Sequence, residues 1–147
     1  MKKMMMAMAL LITLTASAFA KNPEEVNPGV IKAFQSKFIS VNNVTWTTGA
    51  DYYRASFTYN NRNVFAYYSS EGKFIGLSRY LSTSELPLML QTNFKNKYAD
   101  YWVTDLFELA NAEGTSYYLT LKNADEVIIL KSSPDTEWSV FKKSKKK

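Results

Sequence analysis

The stretch that decides the fold is Tyr53-Arg54-Ala55-Ser56-Phe57, followed by Val64-Phe65-Ala66-Tyr67-Tyr68-Ser69-Ser70. From residue 52 to residue 59 the side chains alternate between two sets, and a period of two is typical of a half-buried strand. Asn60-Asn61 lies between the two runs and predicts a hairpin turn, because asparagine tolerates a positive φ. The sequence therefore predicts two antiparallel strands here.

A similar order of residues returns later in the chain. Tyr117-Tyr118-Leu119-Thr120-Leu121 and Val127-Ile128-Ile129-Leu130-Lys131-Ser132-Ser133 echo the two strands, and a helix-like segment precedes each copy, at 33–38 and 93–98. A unit of one helix and a few strands cannot bury its hydrophobic face alone, whereas a second unit can cover it. We therefore predict an α+β fold, a tandem repeat of helix followed by antiparallel strands, with the helices packed on one face of the sheet.

The helix starts carry their own local signals. Asn27 followed by Pro28 predicts an N-cap and a first helical residue. Ser82-Thr83-Ser84-Glu85 reads as a capping box, but a helix from there would include Pro87, which lacks the amide hydrogen that a helix interior needs. We therefore expect the second helix to begin next to Pro87.

The first twenty residues have the pattern of a secretory signal. Lys2 and Lys3 precede an apolar run at 4–15, and Ala18-Phe19-Ala20 reads as a cleavage site. The run is shorter than the roughly 20 residues of a membrane-spanning helix, and no later segment is long enough either. We predict cleavage near Ala20, a periplasmic or secreted location, and a single domain at 21–141 made of two repeats, at about 26–80 and 82–141.

The charge is concentrated at the end of the chain. The net charge is +5, and five lysines lie within residues 142–147. A block of like charges predicts a disordered tail, for which we expect at most a weak, salt-sensitive contact with an anionic surface. The rest of the chain after the signal is close to neutral, so we expect no nucleic-acid partner.

The composition removes most catalytic chemistry. The chain has no histidine and no cysteine, so it lacks the groups of Ser-His-Asp and Cys-His machinery and the usual ligands of zinc, copper and haem. We expect no catalytic, cofactor-binding or metal-binding residues and no enzyme activity. The remaining alternative is a carboxylate-dependent hydrolase of envelope polysaccharide, with Asp51, Asp105 and Glu108 as candidates.

The aromatic residues suggest a different use. Four aromatic residues and one arginine lie out of phase with the apolar faces of the strands: Tyr52, Arg54, Phe65, Tyr67 and Tyr118. A sheet face that exposes such side chains has the composition of a protein-recognition surface, although cross-strand pairs that only stabilise the sheet would look the same. A further alternative is a carrier of a small molecule or lipid, with aromatic side chains lining a cavity.

In the order of these motifs, the chain resembles the secreted PepSY-like domains of Bacteroidetes, which are grouped by fold with the beta-lactamase-inhibitor-like proteins. The residues that carry the resemblance are Ala33-Phe34 to Phe38, Val44-Thr45-Trp46, Tyr53 to Phe57, Ser70-Glu71-Gly72-Lys73-Phe74, Ser84-Glu85-Leu86-Pro87 and Tyr98. The resemblance implies two helix-plus-sheet units and a sheet surface that can grip a protein. It implies a non-enzymatic binding module, with an envelope or secreted hydrolase such as a peptidase as the partner that it inhibits.

Overall fold

The computed structural model describes residues 19–21, 25–133 and 137–147, so the predicted signal lies outside them except for its last two residues. The described chain contains nine strands and two α-helices: β1 (Phe19–Lys21), α1 (Pro28–Lys37), β2 (Thr45–Thr48), β3 (Tyr52–Tyr59), β4 (Arg62–Ser69), β5 (Phe74–Tyr80), α2 (Leu88–Lys97), β6 (Trp102–Asn111), β7 (Gly114–Lys122), β8 (Glu126–Ser132) and β9 (Ser139–Lys145). The chain divides into two compact units, Met1–Leu77 and Ser78–Lys147. No helix within the described residues is long and apolar enough to cross a membrane.

The first unit is a run of antiparallel strands with α1 on one face. β2 pairs with β1 and β3, and β3 pairs with β4 through the predicted Asn60-Asn61 turn, where φ is 48° and 60°. The Asn27 side chain caps α1 by accepting a hydrogen bond from the Gly29 amide at 2.9 Å. Val30 and Phe34 of α1 are buried against one face of the strands, in a core rich in aromatic rings.

The second unit uses a similar arrangement of strands. β6, β7, β8 and β9 pair in chain order, all antiparallel. Leu90 and Phe94 of α2 are buried against the apolar side chains of β6, β7 and β8. α2 begins at Leu88 with Pro87 as its N-cap, as expected, while the Ser82–Glu85 capping box closes a separate 3₁₀ turn at Thr83–Glu85.

The predicted fold class, a tandem repeat of helix followed by antiparallel strands, is wrong. Antiparallel strands dominate the described fold, and the α-helices are only two elements of ten residues each. The strands that precede the two similar hairpins also differ in length. β2, before β3 and β4, has four residues, whereas β6, before β7 and β8, has ten. The echo has a simpler cause: β3 with β4 and β7 with β8 are antiparallel pairs that each cover a helix with one face, and such strands select similar residues at similar spacings.

The predicted disordered tail is also wrong. Lys142, Lys143 and Lys145 belong to β9, which pairs with β8. The Lys146 amide continues this pairing by donating to the Asp125 carbonyl at 2.8 Å. A run of like charges predicts disorder only when no partner strand holds the backbone, and here β8 supplies one. The single domain at 21–141 stays a prediction.

The acidic partner of this basic strand is Glu126. Its carboxylate accepts a hydrogen bond from the Tyr101 hydroxyl and lies 3.0 Å from the Lys143 ammonium group. The hydrogen bond from Tyr101, and then Lys143, lowers the pKa of Glu126 below its ordinary value of 4.5. The same bond raises the pKa of Tyr101 to about 12. A lowered carboxyl pKa stabilises the folded state at any pH above the group's ordinary pKa. This contribution is lost as the pH falls through the lowered pKa.

We therefore expect the Tyr101→Phe variant to raise the pKa of Glu126 toward its ordinary value, because the largest cause of the shift is removed. NMR titration of the Glu126 carboxyl carbon measures this directly. β9 amides should then lose hydrogen-exchange protection at a higher pH in the variant than in the parent. An unchanged titration would show that Lys143 alone sets the pKa.

Candidate functional site

The candidate site of the first unit lies on the face of β3 and β4 that points away from α1, which we call the distal face. Directly opposed residues of antiparallel strands point to the same side, and Arg54 lies opposite Tyr67 while Ser56 lies opposite Phe65. Tyr52 belongs to the same side because it is two residues from Arg54. The structure thus brings together the four predicted site residues of this unit.

The distal face is less exposed than the sequence predicts. Tyr52 is 5% exposed and Tyr67 is 2% exposed, with their ring centroids 5.9 Å apart. Burial raises the pKa of Tyr52, and the nearby Arg54 opposes this shift. The prediction that these two rings are exposed is therefore wrong, and their place is beneath the surface, as support for their neighbours. Whether the face binds a partner stays a prediction.

Arg54 and Phe65 are the half-buried members of the face. The Arg54 guanidinium carbon lies 5.1 Å from the centroid of the Phe65 ring, within range of a cation–π interaction. Arg54 Nε also donates a hydrogen bond to Thr47 Oγ1 on β2 at 3.1 Å. These two contacts hold the guanidinium in place, and a guanidinium carries several N–H donors suited to a carboxylate or a carbonyl oxygen.

Tyr118, the fifth predicted residue, belongs to the second unit and is 1% exposed. Its ring stacks on Phe107 with centroids 5.0 Å apart, and Phe141 meets it edge-on at 5.7 Å. Lys131, opposite Tyr118 on β8, lies 5.8 Å from its ring centroid. Burial raises the pKa of the Tyr118 hydroxyl well above its usual range. The prediction that Tyr118 is exposed is also wrong. The cluster around Tyr118 was not predicted from the sequence, although Phe107 lies directly opposite Tyr118 on β6.

The two candidate carboxylates of the second unit, Asp105 and Glu108, do not face a common space. Phe107 and Tyr118 share the face away from α2 with Asp105, whereas Glu108 points to the opposite side. Glu108 is engaged there by Arg79, at 3.0 Å. Burial raises the pKa of Asp105, but a glycosidase needs a second carboxylate facing the same space. Asp51 is exposed beyond the end of β2, in the first unit.

No cluster of three or more metal-ligating side chains occurs in the part of the chain that the structure describes. The candidate with the most definite chemistry is therefore the Arg54–Phe65 pair, in which a cation and a ring are held side by side on a strand pair. Its neighbours are the tyrosines that support it and strand β2, through Thr47.

Comparison with known proteins places the fold. No family model matches the chain, and no curated protein does. Several solved structures match the chain in fold. A BLIP-like protein from Bacteroides fragilis is 17% identical, with a TM-score of 0.67 over 81% of this chain and 85% of that one. A DUF2874 family protein from Bacteroides ovatus is 18% identical, with a TM-score of 0.70 over 80% and 86%.

A third similar structure is a presumed periplasmic protein from Bacteroides eggerthii. It is 14% identical and has a TM-score of 0.70 over 82% of this chain and 88% of that one. Identities this low show the fold alone. The BLIP-like part of the expected resemblance agrees with these structures, whereas nothing in them bears the PepSY-like name.

Proposed function

We propose that this protein is a non-enzymatic binding module of the periplasm or the extracellular space, which recognises another protein through the distal face. The observation that carries the proposal is the Arg54–Phe65 pair, with a ring-to-guanidinium distance of 5.1 Å. Arginine and aromatic residues dominate the energetics of protein interfaces when they are ordered before binding. Asp105 and Glu108 point to opposite sides of β6, which removes the main support for the hydrolase alternative.

The geometry favours a partner that presents a carboxylate beside an apolar group. The guanidinium would pair with the carboxylate, and the Phe65 ring would cover the apolar group. The buried Tyr52–Tyr67 pair fixes the strand backbone under both residues, so little conformational freedom remains to be lost on binding. In the finer form of the proposal the partner is an envelope or secreted hydrolase that is inhibited when bound. The resemblance to a BLIP-like protein supports this form by fold analogy only.

We expect the Arg54→Ala and Phe65→Ala variants to lose at least tenfold in affinity for the partner, because each removes one member of the pair, and an interface anchor contributes about 2 kcal/mol or more. The partner is first captured from envelope and culture supernatant on the immobilised parent protein. Affinities of purified parent and variants are then measured by calorimetry.

The matched control is Tyr59→Ala. Tyr59 is an exposed aromatic residue of the same strand β3, but it points to the other side of the sheet, in phase with Phe57 rather than with Arg54. This variant should bind as the parent does. Equal loss in all three variants, or no loss in either distal-face variant, would contradict the proposal. Inhibition is tested by adding the parent protein to any hydrolase that is captured.

A further inference from the structure

The edge of the first unit offers a second surface, which does not depend on the distal face. β2 pairs with β3 on one side and with β1 on the other. β1 has three residues, Phe19–Lys21, in antiparallel register with Trp46 to Thr48. The predicted cleavage site after Ala20 falls inside this strand. Removal of residues 1–20 would therefore take away two of its three residues and leave only Lys21, opposite Trp46, beside the outer side of β2.

The ladder identifies which backbone groups would be left open. The Gly49 amide donates to the Tyr52 carbonyl at 2.9 Å, so residues 49 and 52 form a hydrogen-bonded pair. Such pairs alternate along an antiparallel ladder, and Thr47 and Thr45 therefore bond inward to Arg54 and Ser56. Trp46 and Thr48 then direct their N–H and C=O groups outward, toward the position of β1. Removal of residues 19 and 20 leaves the N–H and C=O of Thr48 without a β1 partner, while Lys21, opposite Trp46, remains as the first residue of the processed chain.

β2 is short, with four residues, but it lacks the side chains by which proteins protect such an edge. Natural edge strands carry lysine, proline or a bulge that prevents pairing with another chain. β9 follows this rule, because it carries Lys142, Lys143 and Lys145 and a register shift beside Leu130. β2 reads Thr-Trp-Thr-Thr, with no charge and no proline, and threonine and tryptophan favour strand formation.

We propose that β2 is a docking edge in the processed protein and that it accepts an extended, proline-free segment of a partner protein, added antiparallel in the place of β1. Recognition rests on the main-chain groups of Trp46 and Thr48, as in other cases of strand addition. β1 itself supports this choice of occupant, since it shows that the edge accepts a strand in register. The surface is separate from the Arg54–Phe65 pair, so either assignment can fail without the other.

The test begins with the full chain, expressed with its own leader and purified from the bacterial periplasm. Intact mass gives the first residue of the processed protein, which we expect to be Lys21. The probe is a synthetic peptide with the sequence of residues 16–22, Ala-Ser-Ala-Phe-Ala-Lys-Asn, added at millimolar concentration. We expect the Trp46 and Thr48 amides to show saturable NMR shifts and at least tenfold slower hydrogen exchange. The Phe65→Ala variant should bind the peptide as the parent does.

Two variants at one position separate main-chain recognition from other causes. Thr48→Pro removes one outward N–H and leaves the inward ladder intact, which an edge position tolerates. Thr48→Ala keeps the N–H and removes the γ-methyl group together with a hydroxyl that has no hydrogen-bond partner among the described residues. The proline variant, shown to be folded by its NMR spectrum, should bind the peptide at least tenfold more weakly, and the alanine variant should bind normally.

Several results would overturn the proposal. A processed protein that keeps Phe19 and Ala20 has no open edge. Peptide shifts that spare Trp46 and Thr48, or equal binding by both Thr48 variants, would exclude main-chain pairing at β2. Concentration-dependent dimers whose Trp46 and Thr48 amides are protected without peptide would show that a second copy of the chain, and not a partner segment, occupies the edge.

Discussion

Replacement of Phe34 by alanine is expected to lower the free energy of unfolding by about 3–5 kcal/mol, the range for loss of a buried phenylalanine. Phe34 is buried at the centre of the aromatic core of the first unit. Its ring centroid lies 5.2 Å from that of Phe57 and 5.4 Å from that of Trp46, both edge-on. Phe38 and Tyr68 complete the cluster, at 5.1 and 6.4 Å. Truncation removes all four ring contacts and leaves a cavity between α1 and the strands.

Urea denaturation followed by near-ultraviolet circular dichroism measures the effect, since the aromatic core produces that signal. Ile39→Ala is the matched control, because Ile39 follows the same helix and is 80% exposed. It should change the free energy of unfolding by no more than about 0.5 kcal/mol. Similar losses in both variants would mean that α1 does not pack on the strands through Phe34.

Leu119→Ala is expected to have the next largest effect, a loss of about 2–5 kcal/mol. Leu119 is fully buried at the centre of β7, between Leu106 on β6 and Leu130 on β8, which are its register partners. The three leucines form a row across three strands on the side of the sheet that α2 covers. A cavity in the middle of such a row cannot be filled by movement of a single neighbour, because both flanking strands are held by their own hydrogen bonds.

The matched control for Leu119 is Val140→Ala, an apolar residue of β9 that is 54% exposed. Denaturation should give the control a stability close to that of the parent, and a crystal structure of Leu119→Ala should show the cavity. A loss below about 1 kcal/mol for Leu119→Ala would indicate that the neighbouring side chains repack to fill the cavity.

Local signals in the sequence were interpreted correctly. Asn60-Asn61 forms the hairpin turn, Asn27 caps α1, and α2 starts beside Pro87. Each of these features depends on a few adjacent residues and on the conformations that their own backbones allow. The alternation in β3 and β4 also placed Arg54 and Tyr67 on one face, because the period of a strand leaves no other choice.

The candidate site could be predicted only in part. Alternation assigns a residue to a face but does not say how deeply the face is buried, so it predicts exposed rings for Tyr52, Tyr67 and Tyr118, which the structure buries. Alternation along β6 places Asp105 and Glu108 on opposite faces of the strand. Residues on opposite faces cannot act as a catalytic pair, so the sequence alone is enough to exclude this one once both are assigned to one strand. The sequence does not predict which backbone groups of β2 point outward, because the hydrogen-bonding pattern depends on which strands pair and in what register.

By itself, the sequence determined the turns, the helix caps and the side of each strand to which a residue points, because all three follow from neighbouring residues. Only the tertiary structure decided three further features. It buried the distal tyrosines, it brought Lys142, Lys143 and Lys145 into β9, and it made strands rather than helices dominate the fold. These outcomes depend on contacts between residues far apart in the chain. Pairing with β8 outweighs the mutual repulsion of the lysines because Glu126 and the backbone hydrogen bonds compensate for it.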